Sequence, residues 1–425
     1  MRGVVKSDGG VSWVAQPKQL LDNLRQKCPF DRFSPEEYQR RWDKSRRFME
    51  AHDVEALIVA GGNQSWQKAW TNVRYLTEYV GSMELNLFVV LGSKDASPPS
   101  VCGVGPAYAH RMARAVVDDL RSGPPGPLTA TRLKELGITS GKVGVVESTG
   151  RMPRDIWDSL RSSLPNVEFE FLEKSWWKEV RLPLSREEIE WFKKAGVIGD
   201  SALNAIIEKA KPGMTEDEVF GTIVGSEISN GGENEMMMLI GSHSMLDPDA
   251  DDTSARPRDR VLMKGDIILT EIGPSYNGYE GQVGRPITLG PPTQEYKQML
   301  DLALEVYGDI VKNLKPGRRA DAILKAGDKI DEAGYKNGGP PLIHALPSGL
   351  LGNIPSIPQR SQLGTWRLRY GEADFEEFTQ NMPVCVEVSL VRKDEMAGVF
   401  LCNSFIINDD APIDLYRTPM QIYVK

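Results

Sequence analysis

Short apolar runs alternate with amphipathic stretches along the first part of the chain. The runs EALIVAGG (55–62), LFVVLG (87–92) and KVGVVE (142–147) have the length and the valine content that are typical of buried strands. Longer stretches with helical periodicity lie between or after them, among them AHRMARAVVDDLR (109–121) and PRDIWDSLRSSL (153–164). Strands that alternate with helices in this way predict an α/β layer architecture over about the first 180 residues.

A break in this pattern predicts a second domain that begins near residue 182. Pro183 interrupts the chain, and Ser185 with Glu188 forms a capping box before a long amphipathic stretch. The length of 425 residues is also too great for one ordinary core. The predicted domains are residues 1–181, of which residues 1–33 are an extension, and residues 182–425.

The second domain repeats its own pattern. Residues 209–232 and residues 313–339 each contain a Lys-Pro-Gly turn, a following helix and an Asn-Gly-Gly end, and a helix precedes each copy. An internal repeat of this kind predicts a pseudo-twofold domain, in which strands from both halves meet in one central sheet. A site at that centre would draw its side chains from both halves.

A hairpin is predicted in the first half, within TEIGPSYNGYEGQVG (270–284). Asn277 and Gly278 suit a type I′ turn, because both central residues of that turn need a positive φ. Side chains alternate between the two faces of a strand, so the register around this turn places three polar side chains on one face. These are Glu271, Glu280 and Gln282.

Composition and charge narrow the possible functions. With 40% hydrophobic and 26% charged residues, the chain has the composition of a soluble globular protein. A net charge of -8 gives no electrostatic reason to expect nucleic acid or an anionic membrane as a partner, so neither is predicted. No apolar run approaches the roughly 20 residues that cross a bilayer, and no signal-peptide core is found, so a cytoplasmic location is expected.

Cysteine and histidine are scarce and scattered. The cysteines lack CxxC spacing, so neither a zinc ribbon nor a disulfide framework is predicted, and free thiols are expected. A site with three imidazoles would consume most of the histidines. The residues are Cys28, Cys102, Cys385 and Cys402, and His52, His110, His243 and His344.

Several segments together resemble the family of creatinase, Xaa-Pro aminopeptidase and methionine aminopeptidase, which has the pita-bread fold. GDIILTEIGPSYNGYEGQVGRPITLG is similar to the family segment that reads Gly-Asp, an apolar strand, Asp-x-Gly and then Gly-Tyr-x-Ser-Asp-x-Thr-Arg. Four other segments of this chain resemble further family segments and follow the same linear order. They are NVRYLTEY, LPLSREEIEWFKKAG, KPGMTEDEV and NMPVCVEVSL. The resemblance implies a smaller N-terminal α/β domain and a C-terminal pita-bread catalytic domain.

The resemblance also implies where a metal site would lie. The metallopeptidases of this family bind two metal ions through Asp, Asp, His, Glu and Glu, and the matching positions here are Glu271, Gln282, His344, Glu387 and Cys402. Only His344 and Glu387 keep the residue type. Gln and Cys remove the negative charge that two divalent cations require, so no dinuclear site is expected. A single soft ion on Cys402, His344 and Glu387 stays open, but the simpler expectation is no metal and no other cofactor.

Creatinase and its relatives imply a metal-free alternative, because they hydrolyse a carbon-nitrogen bond with histidine and glutamate side chains. By this resemblance His344 and Glu387 are the predicted catalytic residues. His344 would transfer a proton, and Glu387 would orient it, anchor a cationic substrate group or position water. The family's substrate-facing histidine falls near Ser254 in this chain, which leaves His243 as a displaced candidate. The predicted substrate contacts are Glu271, Gln282, Glu280, Arg285, His243 and Cys402.

The predicted function is therefore a metal-independent hydrolase of a carbon-nitrogen bond in a small polar nitrogen-containing metabolite. An Xaa-Pro-type metallopeptidase with an altered metal site is the main alternative. A lyase, or a non-catalytic binding member of the same fold, is a further one. The resemblance also implies a homodimer.

Overall fold

The computed structural model describes most of the chain in two compact units, Met1–Arg181 and Leu182–Lys425. None of the helices in the described part combines the length and the apolar character that crossing a membrane requires. The described residues are 3–6, 12–15, 17–62, 71–80, 86–105, 109–146, 152–233, 239–248, 257–346, 354–370 and 375–425.

The first unit is built around one mixed sheet. Its strands are β1 (Gly3–Lys6), β2 (Ser12–Ala15), β3 (Ala56–Gly62), β4 (Asn86–Gly92), β5 (Ser100–Val104), β6 (Leu120–Ser122), β7 (Gly141–Val146) and β8 (Val167–Phe171), in the order β1-β2-β6-β5-β4-β3-β7-β8. Its helices are α1 (Lys18–Lys27), α2 (Pro35–Ala51), α3 (Thr71–Thr77), α4 (Ala109–Arg114), α5 (Pro125–Glu135), α6 (Arg154–Ser163) and α7 (Glu173–Trp176), followed by a π-helical turn, Trp177–Arg181. The three predicted strands are confirmed as β3, β4 and β7.

The core of the first unit lies between this sheet and two of its helices. Ile58 of β3 and Phe88 of β4 are buried against Leu128 and Leu133 of α5 and Leu160 of α6. Such packing of helices on an apolar sheet is the layer arrangement that the alternating pattern predicts.

One predicted helix of the first unit is shorter than expected. The stretch 109–121 was expected to be helical throughout, but α4 ends at Arg114, and Leu120 begins strand β6. This strand pairs with both β2 and β5. The hydrogen bonds of the sheet outweigh the local helical periodicity, which is a weak preference next to tertiary pairing.

The second unit consists of helices around two sheets and a short hairpin. Its helices are α8 (Arg186–Lys209), α9 (Glu216–Ser229), α10 (Gln294–Lys312), α11 (Ala320–Glu332) and α12 (Leu363–Tyr370), with a 3₁₀ turn at Arg360–Gln362. Its strands are β9 (Leu239–Ser244), β10 (Asp266–Glu271), β11 (Ser275–Tyr276), β12 (Tyr279–Glu280), β13 (Ile287–Thr288), β14 (Ile343–Ala345), β15 (Ser356–Ile357), β16 (Pro383–Val391), β17 (Gly398–Ile406), β18 (Ile413–Asp414) and β19 (Tyr423–Val424). The sheets have the orders β19-β13-β10-β9 and β15-β14-β16-β17-β18, and β11 pairs with β12.

The predicted internal repeat is confirmed by equivalent hydrogen bonds at the two Lys-Pro-Gly turns. The backbone N–H of Gly213 donates to the carbonyl oxygen of Leu262 at 2.8 Å, and that of Gly317 donates to Phe378 at 2.9 Å. β10 follows the first of these contacts, and β16 follows the second. Glu271 and Glu387 lie the same number of residues after Leu262 and Phe378, so they occupy corresponding positions in the two halves.

The backbones of the two halves meet at an isolated bridge, and also where β13 pairs with β19. Gly284 and Cys402 exchange hydrogen bonds, with N···O distances of 2.9 Å and 3.3 Å. An ideal Cβ at position 284 would lie 2.2 Å from the carbonyl oxygen of Thr270, so only glycine allows this approach. The predicted single central sheet is thus two sheets, and the halves are connected by this bridge and by the pairing of β19 with β13.

The predicted hairpin is confirmed in turn type and register. Asn277 and Gly278 have positive φ values of 50° and 81°, as a type I′ turn requires. β11 and β12 pair in the predicted register, which continues to the bridge between Ile272 and Val283. Pro274 causes no shift, because it takes part through its carbonyl oxygen, which accepts from the N–H of Gly281 at 3.0 Å.

Candidate active site

Four buried side chains converge on one face of the second half's sheet. His344 of β14 lies directly opposite Cys385 of β16, and Glu387 of β16 lies directly opposite Cys402 of β17. Residues opposite each other in an antiparallel pair share a face, and so do residues two apart along a strand. All four side chains are buried. Strand pairing therefore assembles a compact group of one imidazole, one carboxylate and two thiols.

The imidazole of His344 faces the carboxylate of Glu387. The Nε2 of His344 and the Oε2 of Glu387 are 3.6 Å apart, and the Nδ1 lies 2.9 Å from the carbonyl oxygen of Ala345. A carbonyl oxygen can only accept, so Nδ1–H donates to it. Burial lowers the pKa of His344. The charge of Glu387 and the contact with Cys385 raise this pKa by more than burial lowers it, so the pKa lies well above its ordinary value. The pair therefore retains a proton at Nε2.

The two thiols form a close sulfur pair. The Sγ atoms of Cys385 and Cys402 are 3.3 Å apart. Burial raises the pKa of Cys385, but the hydrogen bond from Cys402 and the contact with His344 lower it, with a net decrease. Burial and the neighbouring Cys385 raise the pKa of Cys402 well above its ordinary value. Cys385 is thus the sulfur that ionises first, and its thiolate would then accept from the S–H of Cys402.

The first half contributes a hydrogen-bonded carboxylate and carboxamide. The Nε2 of Gln282 donates to the Oε1 of Glu271 at 3.2 Å, and both residues are buried. Within the described part of the chain, the Oε1 of Gln282 has no hydrogen-bond partner. The Oγ of Ser404 accepts from the backbone N–H of Gln282 at 2.8 Å and donates to its carbonyl oxygen at 2.9 Å. Ser404 lies directly opposite Cys385, so it connects Gln282 to the second half.

Two members of this site were missed from the sequence. Cys385 was expected only to be a free thiol, although it lies two residues before Glu387 on a strand and therefore on the same face. That alternation could have identified it. Ser404 had no comparable local signal, because its contact with Gln282 depends on the bridge between the halves.

Arg285 has a structural role in place of the predicted substrate contact. Its guanidinium donates five hydrogen bonds, to the carbonyl oxygens of Gly284, Cys402, Thr418 and Pro419 and to the side chain of Asn403. A guanidinium has five N–H donors, so none is left for a ligand. Arg285 instead holds the Gly284–Cys402 bridge in place.

Two other predicted contacts have other neighbours in the structure. His243 is four residues along β9 from Leu239, the partner of Glu271, which corresponds to about 13 Å at the usual rise of a strand. Its ring packs against Tyr296, with centroids 5.6 Å apart. Glu280 lies near Glu227 of α9, whose pKa it helps to raise. Ser254, where the family histidine falls, is outside the described residues.

The donor set does not fit two divalent cations. The amide N–H of Gln282 donates a hydrogen bond to Glu271. Two carboxylates at these positions would repel each other without a cation, whereas this amide and carboxylate attract each other. Cys402 offers a soft sulfur in place of a hard carboxylate oxygen. Glu271 and Glu387 are then the two carboxylates of the group, too few for a dinuclear centre of hard oxygen ligands.

Comparison with known proteins identifies the family. The sequence profile of metallopeptidase family M24 matches residues 190–409, which is more than half of the chain. The chain belongs to metallopeptidase family M24. The resemblance predicted from the sequence motifs is thereby confirmed.

Relatives of the M24 family extend this result to the fold. An Xaa-Pro dipeptidase of Pyrococcus furiosus is 30% identical over 251 residues, which are 58% of this chain and 66% of that protein, just under two thirds. A prolidase structure from Thermococcus sibiricus matches with a TM-score of 0.74 and 20% identity, over 93% of this chain and all of that one. An X-Pro aminopeptidase structure from Thermotoga maritima matches with a TM-score of 0.71 and 16% identity, over 90% and 99%. The predicted two-domain α/β pita-bread fold is confirmed.

Proposed function

We propose that this M24 chain hydrolyses the carbon-nitrogen bond of a short peptide of the Xaa-Pro type. The observation that carries the proposal is the buried pair of His344 and Glu387, which face each other at 3.6 Å and keep the residue types of the family's site. The names of the dipeptidase and prolidase relatives support a peptide over a creatinase-like substrate. The dinuclear metal site of such peptidases is not part of the proposal.

The proposed roles follow from the chemistry of each half. Without a bound cation, the pair of His344 and Glu387 holds a proton that can pass to the leaving nitrogen when the carbon-nitrogen bond breaks. The carboxylate of Glu271 suits the cationic amino terminus of a dipeptide. The Oε1 of Gln282 is an acceptor for a substrate N–H. The first half would thus bind the substrate, and the second half would carry the reaction.

A second candidate function is the metal-independent hydrolysis of a small polar nitrogen-containing metabolite, as in creatinase. The hydrogen bond between Gln282 and Glu271 favours it, because the family's two metal-bridging carboxylates are replaced by a pair that is stable without a cation. The same His344 and Glu387 would act. The lyase, the non-catalytic member and the homodimer remain predictions.

Substrate profiling of the purified full chain tests these proposals. Xaa-Pro dipeptides are compared with guanidino, ureido and N-acyl amino-acid compounds, for the wild type and for His344→Ala. We expect turnover of an Xaa-Pro dipeptide that falls at least 100-fold in the variant. Turnover of only a guanidino or ureido compound would replace the peptide with the second candidate. Ligand binding without turnover of any compound would contradict both and support a binding role.

A further inference from the structure

We propose that His344, Cys385 and Glu387 form a binding site for one thiophilic divalent cation of the zinc type. The proposal deepens the proposed function and depends on it only for the use of the ion in catalysis. One ligand atom from each of these residues lies within 4.8 Å of the other two, and all three residues are buried. Within the described residues, this is the group of His, Cys, Asp and Glu side chains that meets this criterion.

The distance between the imidazole and the carboxylate of this group suits tetrahedral coordination. Zinc bonds to nitrogen and oxygen at about 2.0–2.2 Å and to sulfur at about 2.3 Å, so neighbouring ligand atoms of a tetrahedron lie roughly 3.3–3.8 Å apart. The Nε2 of His344 and the Oε2 of Glu387 are 3.6 Å apart, which is within this range. Imidazole, thiolate and carboxylate are also the three ligand types that zinc accepts in proteins.

The histidine is already oriented as a ligand. Its Nδ1–H donates to the carbonyl oxygen of Ala345, while Nε2 faces Glu387. Metal-binding histidines generally have such a hydrogen bond on the other ring nitrogen, because it fixes the tautomer and the ring orientation. This backbone contact therefore supports a ligand role for His344.

Cys402 lies next to the proposed ligands and is not one of them. Its Sγ is 3.3 Å from that of Cys385, so its S–H can donate to the sulfur of Cys385 once that sulfur is a thiolate. A hydrogen-bond donor beside the sulfur stabilises a thiolate ligand, and it does so without taking up a coordination position of the ion. Three protein ligands leave one coordination position, as in catalytic zinc sites.

The charge balance of the group favours one ion over two. Coordination needs the thiolate of Cys385 and an unprotonated Nε2 of His344, so these protons pass to solvent when the cation binds. One thiolate and one carboxylate then neutralise the two positive charges. An ion of this kind supplies acidification of water or polarisation of a carbonyl oxygen, which is the chemistry that hydrolysis of a carbon-nitrogen bond needs. Water acidified by the ion would then supply the proton for the leaving nitrogen in place of the pair of His344 and Glu387.

Metal titration of the full chain tests the site. Protein purified under reducing conditions is stripped with a chelator and then titrated with Zn²⁺ or Co²⁺, and bound metal is measured by plasma mass spectrometry after desalting. We expect one equivalent of metal per chain. The Co²⁺ form should show the near-ultraviolet thiolate-to-cobalt absorption and the strong visible bands of a tetrahedral site.

Matched cysteine variants separate a ligand from its neighbour. Cys385→Ser should lose the thiolate-to-cobalt absorption and weaken the binding of Co²⁺ at least 100-fold, whereas Cys402→Ser should keep the absorption and bind with an affinity within about 10-fold of the wild type. Circular dichroism checks that each variant is folded. Glu387→Gln is a further variant, which removes a ligand carboxylate and leaves both sulfurs in place. It should weaken binding at least 100-fold and keep the absorption at saturating Co²⁺.

Several outcomes would overturn the proposal. The proposal is contradicted if the chain binds two equivalents of metal, or if it binds none and both thiols titrate as free. It is also contradicted if the absorption is lost in Cys402→Ser but kept in Cys385→Ser. A disulfide between Cys385 and Cys402 that persists under reducing conditions also contradicts it. Because binding is measured without substrate, one bound ion without turnover would leave the site standing and refute the proposed function. Undiminished turnover by metal-free protein would leave the proposed function standing and rule out a catalytic use of the ion.

Discussion

The two halves of the second unit share a backbone plan but differ in the chemistry that surrounds corresponding carboxylates. Glu271 in the first half accepts a hydrogen bond from the amide of Gln282. Glu387 in the second half faces the imidazole of His344 and lies opposite Cys402. The repeat therefore determines where the carboxylates lie, and their neighbours determine what each can do. A carboxylate beside an amide suits binding, and a carboxylate beside an ionisable imidazole suits a reaction.

The largest expected effect separates the two carboxylates. Glu387→Gln removes the partner of His344, so we expect kcat of the hydrolysis to fall roughly 1,000-fold. Glu271→Gln is the matched change in the other half, and it should raise KM about 10-fold while kcat changes less than 10-fold. Steady-state kinetics of both variants measure this. Equal losses of kcat would show that the halves do not divide binding from reaction.

A second difference between the halves concerns helices α9 and α11. Glu227 of α9 is buried, and within the described structure neither of its carboxylate oxygens has a hydrogen-bond partner. Asp331, at the corresponding position of α11, is exposed and accepts a hydrogen bond from Gln359 at 2.9 Å. Burial and the nearby Glu280 raise the pKa of Glu227 from 4.5 to about 8.

This raised pKa predicts a pH-dependent loss of stability. Between pH 4.5 and about 8 the folded chain keeps the proton on Glu227, while the unfolded chain has lost it, so stability falls as the pH rises through this window. Glu227→Gln removes the effect, and we expect it to raise the free energy of unfolding by about 2–4 kcal/mol at pH 8 and by little at pH 4. Urea denaturation at both pH values measures this, with Asp331→Asn as the control that should show no such trend. A gain that is the same at both pH values would rule out titration of Glu227 as the cause.

The bridge between the halves should be sensitive to one methyl group. Gly284→Ala would place a Cβ 2.2 Å from the carbonyl oxygen of Thr270, and we expect the free energy of unfolding to fall by about 2–3 kcal/mol. The same substitution at Gly221, on α9, meets no atom within 4 Å and should raise it by about 0.5–1 kcal/mol, because alanine favours a helix. Thermal unfolding of both variants checks the contrast. A tolerated Gly284→Ala would mean that the halves approach less closely.

The smallest predicted effect comes from restoring a carboxylate in the first half. Gln282→Glu would replace the hydrogen bond to Glu271 with two buried carboxylates, and we expect a loss of about 1–2 kcal/mol at pH 8. Added Mn²⁺ should recover part of the loss, because a divalent cation offsets the repulsion. The unfolding midpoint with and without Mn²⁺ measures this, and the wild type serves as the reference. An unchanged midpoint in metal-free buffer would show that Glu271 is not ionised beside position 282.

The sequence by itself determined the local elements and their repeat. The strands β3, β4 and β7, the capping box before α8 and the Asn277-Gly278 turn depend on neighbouring residues, so periodicity, capping and turn chemistry predict them. The hairpin register followed from its turn. Among the site residues, Glu387 stood out because a carboxylate on so apolar a strand needs a partner.

Only the tertiary structure decided which side chains contact each other in the site. Strand pairing set Cys385 opposite His344, and the bridge between the halves brought Ser404 to Gln282, which are contacts between residues far apart in the sequence. Contacts of the same distant kind engage the N–H groups of Arg285 in hydrogen bonds within the protein. They also make the end of the expected helix at 109–121 a strand, β6. Periodicity reports which face of an element is buried, but it carries no information about which other element covers that face. The partners of a buried polar group are therefore set by the packing of the whole unit.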